Sequence, residues 1–226
     1  MFKSKLTNLM NKIRPKLLGG IIPEGKVGLK VLGYKNYVGG RWEEIGKLQF
    51  DFLVSQGLKP CNTFLDIGCG ALRGGKRFIE YLNKGNYLGI DKEKDLIKTG
   101  IEKVLGDELY REKNPEFVIS DSFEFGKFSK KPEYALALSL FTHLTSKDIT
   151  LCLSKLRKLV NLGHVFYATF FEGESEKNPL KSHSLDHFDY FKEEMVAFGK
   201  TTGWDSEYIG NWNHPRKQMM IKYIAK

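Results

Sequence analysis

Three aspartates stand at or near the ends of three short apolar runs, where a carboxylate could bind a polar ligand. Asp66 lies in the run 63–67, Asp91 closes the run 87–91, and Asp121 follows the run 117–119. Carboxylates are seldom placed in protein cores without partners, so packing alone does not explain this pattern. Carboxylates at the ends of parallel strands can accept hydrogen bonds from the hydroxyl and amino groups of a nucleotide-like ligand.

Two glycines after the first run allow a tight turn that comes close to a ligand. Gly68 and Gly70 have no Cβ to obstruct that approach, and the helix predicted after them points free N–H groups into the same crevice. The spacing is not the dinucleotide pattern G-x-G-x-x-G, because Arg73 stands where the third glycine is needed. Asp91 follows Gly70 by 21 residues, which is where a Rossmann-like fold places its ribose-binding carboxylate.

The series Asp-Ile-Gly-Cys-Gly, Gly-Ile-Asp and Ser-Asp-Ser resembles the class I S-adenosylmethionine-dependent methyltransferases, from about Tyr37 to the C-terminus. The resemblance implies S-adenosylmethionine (SAM) as the cofactor and S-adenosylhomocysteine (SAH) as its product. In that family the first loop holds the methionine part, the acid after the second strand binds the ribose, and the acid after the third strand reaches the adenine. The implied cofactor residues are Asp66, Gly68, Cys69, Gly70, Asp91, Lys92, Asp121, Ser122 and Ser139.

The family pattern is incomplete at one position, where Leu72 replaces a third glycine that the family often has. The fine shape of the loop is therefore open. Glycines after a strand are by themselves a weak signal. A flavodoxin-like or NAD-binding domain therefore stays open as the less favoured alternative.

Apolar periodicity predicts alternating strands and helices in residues 31–226, which we interpret as the methyltransferase domain. Seven strands are expected near residues 63–67, 87–91, 117–119, 134–139, 164–171, 204–209 and 217–225. Helices are expected near residues 43–56, 74–82, 93–105, 145–160 and 188–202. This alternation predicts an α/β, Rossmann-like fold with a seven-stranded, mostly parallel sheet and helices on both faces. The resemblance adds an antiparallel last strand.

Four of the five histidines follow predicted strands, at the edge of the sheet where open α/β proteins bind ligands. They are His143, His183, His187 and His214, whereas His164 falls at the opposite edge. We expect His143 to act as the general base or to orient the acceptor hydroxyl, because histidine can take a proton near neutral pH. The alternative is that His143 caps the helix starting near Thr145 and only supports the loop.

The acceptor pocket is predicted around His143. Its expected residues are Arg73, His187, Trp212, His214 and Arg216, with Trp212 as an apolar wall. We expect the Arg73 side chain to lie unburied on its turn and to meet an anion, either the methionine carboxylate or an anionic acceptor. No metal is predicted at His183, Asp186 and His187, since magnesium prefers carboxylates to histidines.

The segment 139–142, Ser-Leu-Phe-Thr, indicates the acceptor class. It replaces the Asn/Asp-Pro-Pro-aromatic motif that enzymes methylating base amines or protein glutamine usually carry. Together with the glycine loop and the segment 213–218, it is similar to small bacterial methyltransferases of surface-polysaccharide and secondary-metabolite pathways. The resemblance implies O-methyl transfer to a small polar acceptor, such as a hydroxyl of a sugar, a glycan precursor or a related metabolite.

Length and charge limit the remaining functions. The 226 residues suffice for one α/β domain, and a net charge of +9 favours an anionic partner. That charge motivates an RNA-modifying methyltransferase as the second hypothesis, although no RNA-binding module is recognisable. A non-catalytic methyltransferase-fold partner subunit is the third. The three cysteines form no C-x-x-C pair, which fits a reducing cytoplasm.

Residues 1–30 are predicted to form a basic amphipathic extension and a linker. Residues 1–18 place apolar side chains at helical spacing and basic side chains between them, and no acid precedes Glu24. Weak contact with an anionic membrane surface or with a partner is one interpretation, which would make the protein peripheral to the inner face of the membrane. A helix packed on the domain, or a frayed extension, is the favoured interpretation.

Overall fold

A computed structural model describes residues 24–226 of the chain. The strands are β1 (Phe64–Ile67), β2 (Tyr87–Asp91), β3 (Glu116–Ile119), β4 (Tyr134–Ala137), β5 (Val165–Glu172), β6 (Asp189–Tyr190), β7 (Trp204–Asn211) and β8 (Met219–Ala225). The main sheet has the order β3-β2-β1-β4-β5-β8-β7, and β6 pairs with the end of β5 outside this path. The prediction for residues 1–18 lies outside the described residues.

The strand directions confirm the predicted fold class. β1 pairs in parallel with β2 and β4, and β3 and β5 extend the parallel sheet on either side. β8 runs antiparallel to both of its neighbours, β5 and β7. The seven predicted strands form the main sheet. The additional strand, β6, was not predicted, because its two residues are too few to give a sequence pattern.

Helices cover both faces of the sheet. They are α1 (Gly25–Leu32), α2 (Tyr34–Tyr37), α3 (Trp42–Ser55), α4 (Gly75–Tyr81), α5 (Lys94–Gly100), α6 (Gly106–Lys113), α7 (Ser146–Leu159) and α8 (Lys192–Thr201). A π-helical segment, Ile101–Leu105, joins α5 to α6, so the helix predicted over residues 93–105 continues to Lys113 with changed winding. Helix α1 occupies residues predicted as linker, and the proposed boundary at residue 30 falls inside it. No helix in residues 24–226 has the length and apolar character needed to cross a bilayer.

The central strand β1 shows how the two layers of the core form. All four of its residues are buried, as expected of a parallel strand covered on both faces. Leu65 and Ile67 belong to the apolar cluster that includes residues of α7 and α8, such as Leu153 and Met195. Phe64 points to the opposite cluster, which contains residues of α3, α4 and α5. The alternation of side chains along the strand therefore buries both faces of the sheet.

Candidate active site

The loops after strands β1 to β5 surround a large cavity at the carboxyl edge of the sheet. Its volume is about 960 Å³, which lies in the range of small-molecule sites. The chain crosses between β3 and β4 from one side of β1 to the other, so the strand order reverses beside this cavity. Such a reversal opens a crevice at the strand ends, which is where open α/β sheets bind their ligands.

The glycine loop after β1 has the close-approach geometry predicted from the sequence. Gly68 and Gly70 have φ of +77° and +53°, which are left-handed conformations that favour glycine. A Cβ at residue 68 would lie 3.2 Å from Leu140, and one at residue 70 would lie 3.2 Å from Val38. Leu72 also has a positive φ, +65°, so the loop keeps a left-handed residue at the position where the family often has its third glycine.

Asp91 connects the ends of β1 and β2. Its Oδ2 accepts a hydrogen bond of 2.8 Å from the backbone N–H of Gly70, and its Oδ1 accepts one of 2.8 Å from the N–H of Glu93. Burial raises the pKa of Asp91 to about 6, although these two N–H groups oppose the rise. The carboxylate is thus fixed in position at the wall of the cavity.

A second carboxylate, that of Asp66, lies buried beside the glycine loop. The hydroxyl of Tyr87 donates a 2.7 Å hydrogen bond to its Oδ2. Burial, reinforced by the negative charge of Asp91, raises the pKa of Asp66 to about 7. In the described part of the chain neither aspartate forms an ion pair. The two carboxylates therefore make this side of the cavity complementary to a ligand group that carries positive charge.

The loop after β3 places Asp121 in the cavity wall, as predicted, but not Ser122. The serine that lines the cavity is Ser120, whose Oγ accepts hydrogen bonds of 3.2 Å from the backbone N–H groups of Ser122 and Glu124. The prediction for Ser122 needs this correction, because the turn directs residue 120 inward instead. Phe123 follows with φ of +57° and also lines the cavity.

Ser139 lines the cavity at the end of β4, in a left-handed conformation with φ of +55°. Its N–H donates to Oγ1 of Thr169, and its Oγ donates to Oε1 of Gln218 over 2.9 Å. Thr169 donates to the same Gln218 oxygen over 2.8 Å. These bonds connect β4, β5 and β8 and fix a non-glycine residue in a strained conformation, a feature that clusters at functional sites.

Two segments that are distant in sequence meet over the cavity. Glu24 accepts a hydrogen bond from the N–H of Ser184 and an ion-paired one, at 2.9 Å, from Lys92. Although burial opposes it, these bonds lower the pKa of Glu24 to about 2. Tyr37 donates to the Glu93 carboxylate at 2.8 Å. Residues 24–37 and the loop 182–188 therefore cover the predicted cofactor residues. Lys92 and Cys69 lie in the cavity wall, as other predicted cofactor residues do.

His143 ends a 3₁₀ turn after β4 and faces the cavity. Its Nδ1 lies 2.6 Å from the backbone carbonyl oxygen of Asp186. A carbonyl oxygen can only accept, so Nδ1 carries the hydrogen and the neutral ring keeps its lone pair on Nε2. Burial lowers the pKa of His143 below its ordinary value. The ring is therefore neutral at pH 7 and is in the tautomer whose free nitrogen can take a proton.

The predicted alternative role of His143 as a helix cap is wrong. The cap of α7 is Thr145, whose Oγ1 accepts a hydrogen bond from the N–H of Asp148. The Thr145–Asp148 pair is the one that the sequence pattern indicated. His143 still contacts the covering loop through Asp186, and its backbone carbonyl accepts from the N–H of His183 at 3.1 Å.

Of the predicted acceptor residues, His187 lines the cavity, whereas Trp212 and His214 do not. His187 stacks on Phe171 at a centroid distance of 4.2 Å. Trp212 is buried against Phe52 and donates from Nε1 to the backbone oxygen of Gln218. His214 is buried in a stack on Trp212. The turn between β7 and β8 folds these two rings into the core, so the predicted apolar wall is not there.

Arg73 and Arg216 both lie in the cavity wall, but the expectation that Arg73 is unburied is wrong. Its side chain is half-buried, because it passes beneath the turn formed by residues 38–40 and donates to two carbonyl oxygens there. Arg216 is exposed at the mouth of the same corner.

Sequence reasoning missed several polar cavity residues. Among them are Tyr37, Gln49, Glu93 and Gln218. Gln49 is 3% exposed although it follows Ile45 by one helical turn, and a polar residue on an apolar helix face could have revealed it. Glu93 follows the ribose-binding candidate Asp91 by two residues. Tyr37 and Gln218 carry no local signal, because tertiary contacts alone bring them to the cavity.

No group of three or more histidine, cysteine or acidic side chains in residues 24–226 is arranged to hold a metal ion. His183 lies 3.7 Å from Glu24 and His187 lies 2.9 Å from Asp189, so each histidine has its own carboxylate neighbour.

Comparison with known proteins assigns the fold. No protein-family model matches the chain. It is similar to magnesium protoporphyrin IX methyltransferase from Synechocystis PCC 6803 with bound SAH, at 13% identity over 99% of this chain and 100% of that one, with a TM-score of 0.59. It is also similar to human N-acetylserotonin methyltransferase in complex with SAM. The identity is 11% over 94% of this chain and 62% of that one, with a TM-score of 0.63. A third similar structure is the CcbJ methyltransferase from Streptomyces caelestis, at 12% identity over 80% of this chain and 89% of that one, with a TM-score of 0.61. The chain therefore has the class I methyltransferase fold.

Proposed function

We propose that this chain is a SAM-dependent methyltransferase that acts on a hydroxyl of a small polar acceptor. The observation that carries the proposal is the Asp91 carboxylate, which the N–H groups of Gly70 and Glu93 fix at the cavity wall. The similar structures from Synechocystis and human, which contain SAH and SAM, support this choice of cofactor.

The residues of the cavity fit such a cofactor. SAM carries a sulfonium and an ammonium group, and Asp66 and Asp91 supply carboxylates that form no ion pair among residues 24–226. Gly68 and Gly70 leave room that a Cβ would fill. We assign Gly68, Cys69, Gly70 and Asp66 to the methionine part of the cofactor and Asp91 with Lys92 to its ribose. Asp121 with Ser120 is assigned to the adenine, and Ser139 is kept as a cofactor residue.

The cofactor supplies a methyl group that is already activated for displacement, so the protein mainly has to position the acceptor and remove its proton. His143 fits the second task, because its neutral ring has Nδ1–H bonded to Asp186 and a free Nε2. His187 and Arg216, in the same wall, would contact the acceptor. A sugar, glycan precursor or related metabolite fits this polar rim.

The location and further contacts are also proposals. A cytoplasmic protein would meet SAM directly. Residues 1–18 carry five basic and no acidic side chains, which supports weak contact with an anionic membrane surface or an acidic partner.

Calorimetric titration of SAH tests the proposed function. Asp91→Ala removes the acceptor for the ribose hydroxyls and should weaken binding by about 1.5–3 kcal/mol, the size of hydrogen bonds to charged groups. Asp107→Ala is the matched control, since it removes an exposed carboxylate outside the cavity. Unchanged SAH affinity in a folded Asp91 variant, or no SAH binding by the wild type, would contradict the proposal. Salt-dependent retention of RNA would instead favour the RNA-modifying alternative.

A further inference from the structure

Two arginines meet at one corner of the cavity, where both bind the same backbone turn. Nη1 of Arg73 donates to the backbone oxygens of Val38, at 2.9 Å, and Gly40, at 3.3 Å. Nη2 of Arg216 donates to the backbone oxygen of Gly39. Three successive carbonyl groups thus bind two guanidinium groups, while neither arginine forms an ion pair within residues 24–226.

The turn at residues 38–40 is shaped for this arrangement. Gly39 has φ of +91°, and a Cβ there would lie 2.8 Å from Nη1 of Arg216. A guanidinium group has five N–H donors, so the bonds to the turn leave most of them free. Both side chains line the cavity, where these remaining donors can meet a ligand.

The electrostatics of the corner favour an anion. Burial and the neighbouring charge of Arg216 lower the pKa of Arg73 to about 10, partly against the effect of Asp66. Burial and the same two arginines lower the pKa of His214 to about 4, and its Nε2 is buried without a hydrogen-bond partner. The corner therefore holds two cationic groups at neutral pH, beside a histidine that burial and these charges together keep uncharged.

We propose that Arg73 and Arg216 form a subsite for a carboxylate or phosphate group of the methyl acceptor, so that the substrate is an anionic small molecule. This inference rests on the proposed function. Arg216 comes from the turn between β7 and β8, whereas the cofactor residues assigned above lie in the loops after β1 to β4. Two planar guanidinium groups can bind such an anion with paired, charge-assisted hydrogen bonds.

Titration of inorganic phosphate into SAH-saturated protein tests the subsite. We expect saturable binding in the wild type and a loss of at least tenfold in affinity for Arg216→Gln. Lys217→Gln is the matched control, because it removes one positive charge from the next residue of the same turn, outside the cavity. The control should change phosphate affinity less than twofold. Arg216 is exposed, so its variant should fold, which a melting curve checks.

The titration of SAH separates this inference from the proposed function. We expect Arg216→Gln to bind SAH as the wild type does, and phosphate not to compete with SAH. Competition, or a tenfold loss of SAH affinity in the variant, would assign the arginines to the methionine carboxylate and overturn the inference. Absence of saturable phosphate binding to SAH-loaded protein would also overturn it. If the wild type bound no SAH, the proposed function would fail, and the ligand-free protein would show whether the arginines bind anions at all.

Discussion

The ring of His143 has one nitrogen bonded to a protein carbonyl and the other free, and that asymmetry determines what the residue can do. His143→Asn keeps a polar side chain of similar size but removes the free Nε2. If the ring takes the acceptor proton, turnover should fall by roughly 10²–10⁴ while SAH affinity is kept. Calorimetry and a methyl-transfer assay measure the two effects separately. Near-normal turnover in a folded variant would move the search for the base to His187.

The pH dependence of turnover follows from the same environment. Burial lowers the pKa of His143, so its ring stays neutral from pH 8 down to below the ordinary histidine value. The rate should therefore hold between pH 8 and 7 and should fall only in acid, as the ring becomes protonated.

The buried Asp66 carboxylate lowers the free energy of unfolding of the ligand-free protein. Its folded pKa of about 7 lies above the unfolded value, so its ionisation lowers stability as the pH rises from about 4 to 7. Asp66→Asn should raise the melting temperature of the ligand-free protein at pH 8, by roughly 2–4 °C for each kcal/mol gained. The gain should vanish near pH 4, where the wild-type carboxyl is protonated. SAH affinity should fall. A variant less stable than the wild type at pH 8 would contradict this account.

Single residues show where sequence reasoning reached the site and where it could not. Asp66, Asp91 and Asp121 were predictable, because a carboxylate at the end of an apolar run is conspicuous. Leu72 was less so, since it takes a conformation that sequence rules reserve for glycine. Its side chain is fully buried, and burying a leucine stabilises a protein by more than a left-handed conformation costs.

Helix α3 is held against the glycine loop by close backbone contact. A Cβ at Gly46, in the second turn of the helix, would lie 2.6 Å from the backbone oxygen of Arg73. Gly46→Ala improves helix propensity by about 1 kcal/mol, yet a backbone atom cannot move aside as a side chain can. We expect the clash to dominate, with a lower melting temperature and weaker SAH binding. Gly126→Ala, where a Cβ meets open space, is the control. A Gly46 variant with unchanged stability and SAH affinity would refute the prediction.

Strands and helices that have a periodic apolar pattern can be predicted from the sequence. The position of a turn whose side chains are placed by tertiary contacts cannot. The main-sheet strands and the capped start of α7 follow from local patterns. The turn between β7 and β8 was assigned to the cavity because of its position at the strand ends. Its rings of Trp212 and His214 instead fill space beside Phe52 and Gln218, which only the packed structure reveals.

The charge of the whole molecule is unevenly distributed. Lys3, Lys5, Lys12, Arg14 and Lys16 account for five of the nine net positive charges, and residues 1–23 contain no acid. The rest of the chain is therefore only mildly basic, which weakens an argument for nucleic acid binding by the domain itself.

Replacing those five basic residues by glutamine tests their role. The variant should lose most of its binding to vesicles that contain anionic lipid, because each basic residue near such a surface contributes about 1 kcal/mol. SAH affinity should not change, since every residue assigned to the cofactor lies within residues 24–226. Equal vesicle binding by the variant and the wild type, measured by co-sedimentation at low salt, would exclude the membrane interpretation. It would leave contact with a partner, a packed helix or a frayed extension.

The contacts that Glu24 and Tyr37 make across the cavity have a kinetic consequence. Glu24 bonds to Ser184 and Lys92, and Tyr37 bonds to Glu93. If the cavity binds the cofactor as proposed, exchange of product for fresh cofactor would break these contacts and let them re-form. Under the proposed function, the frequency with which these contacts open would then limit how often a methyl group is transferred. Weakening these contacts, for example at the Glu24–Ser184 bond, would shorten the residence time of the product. The maximal rate could then rise even while cofactor affinity declines.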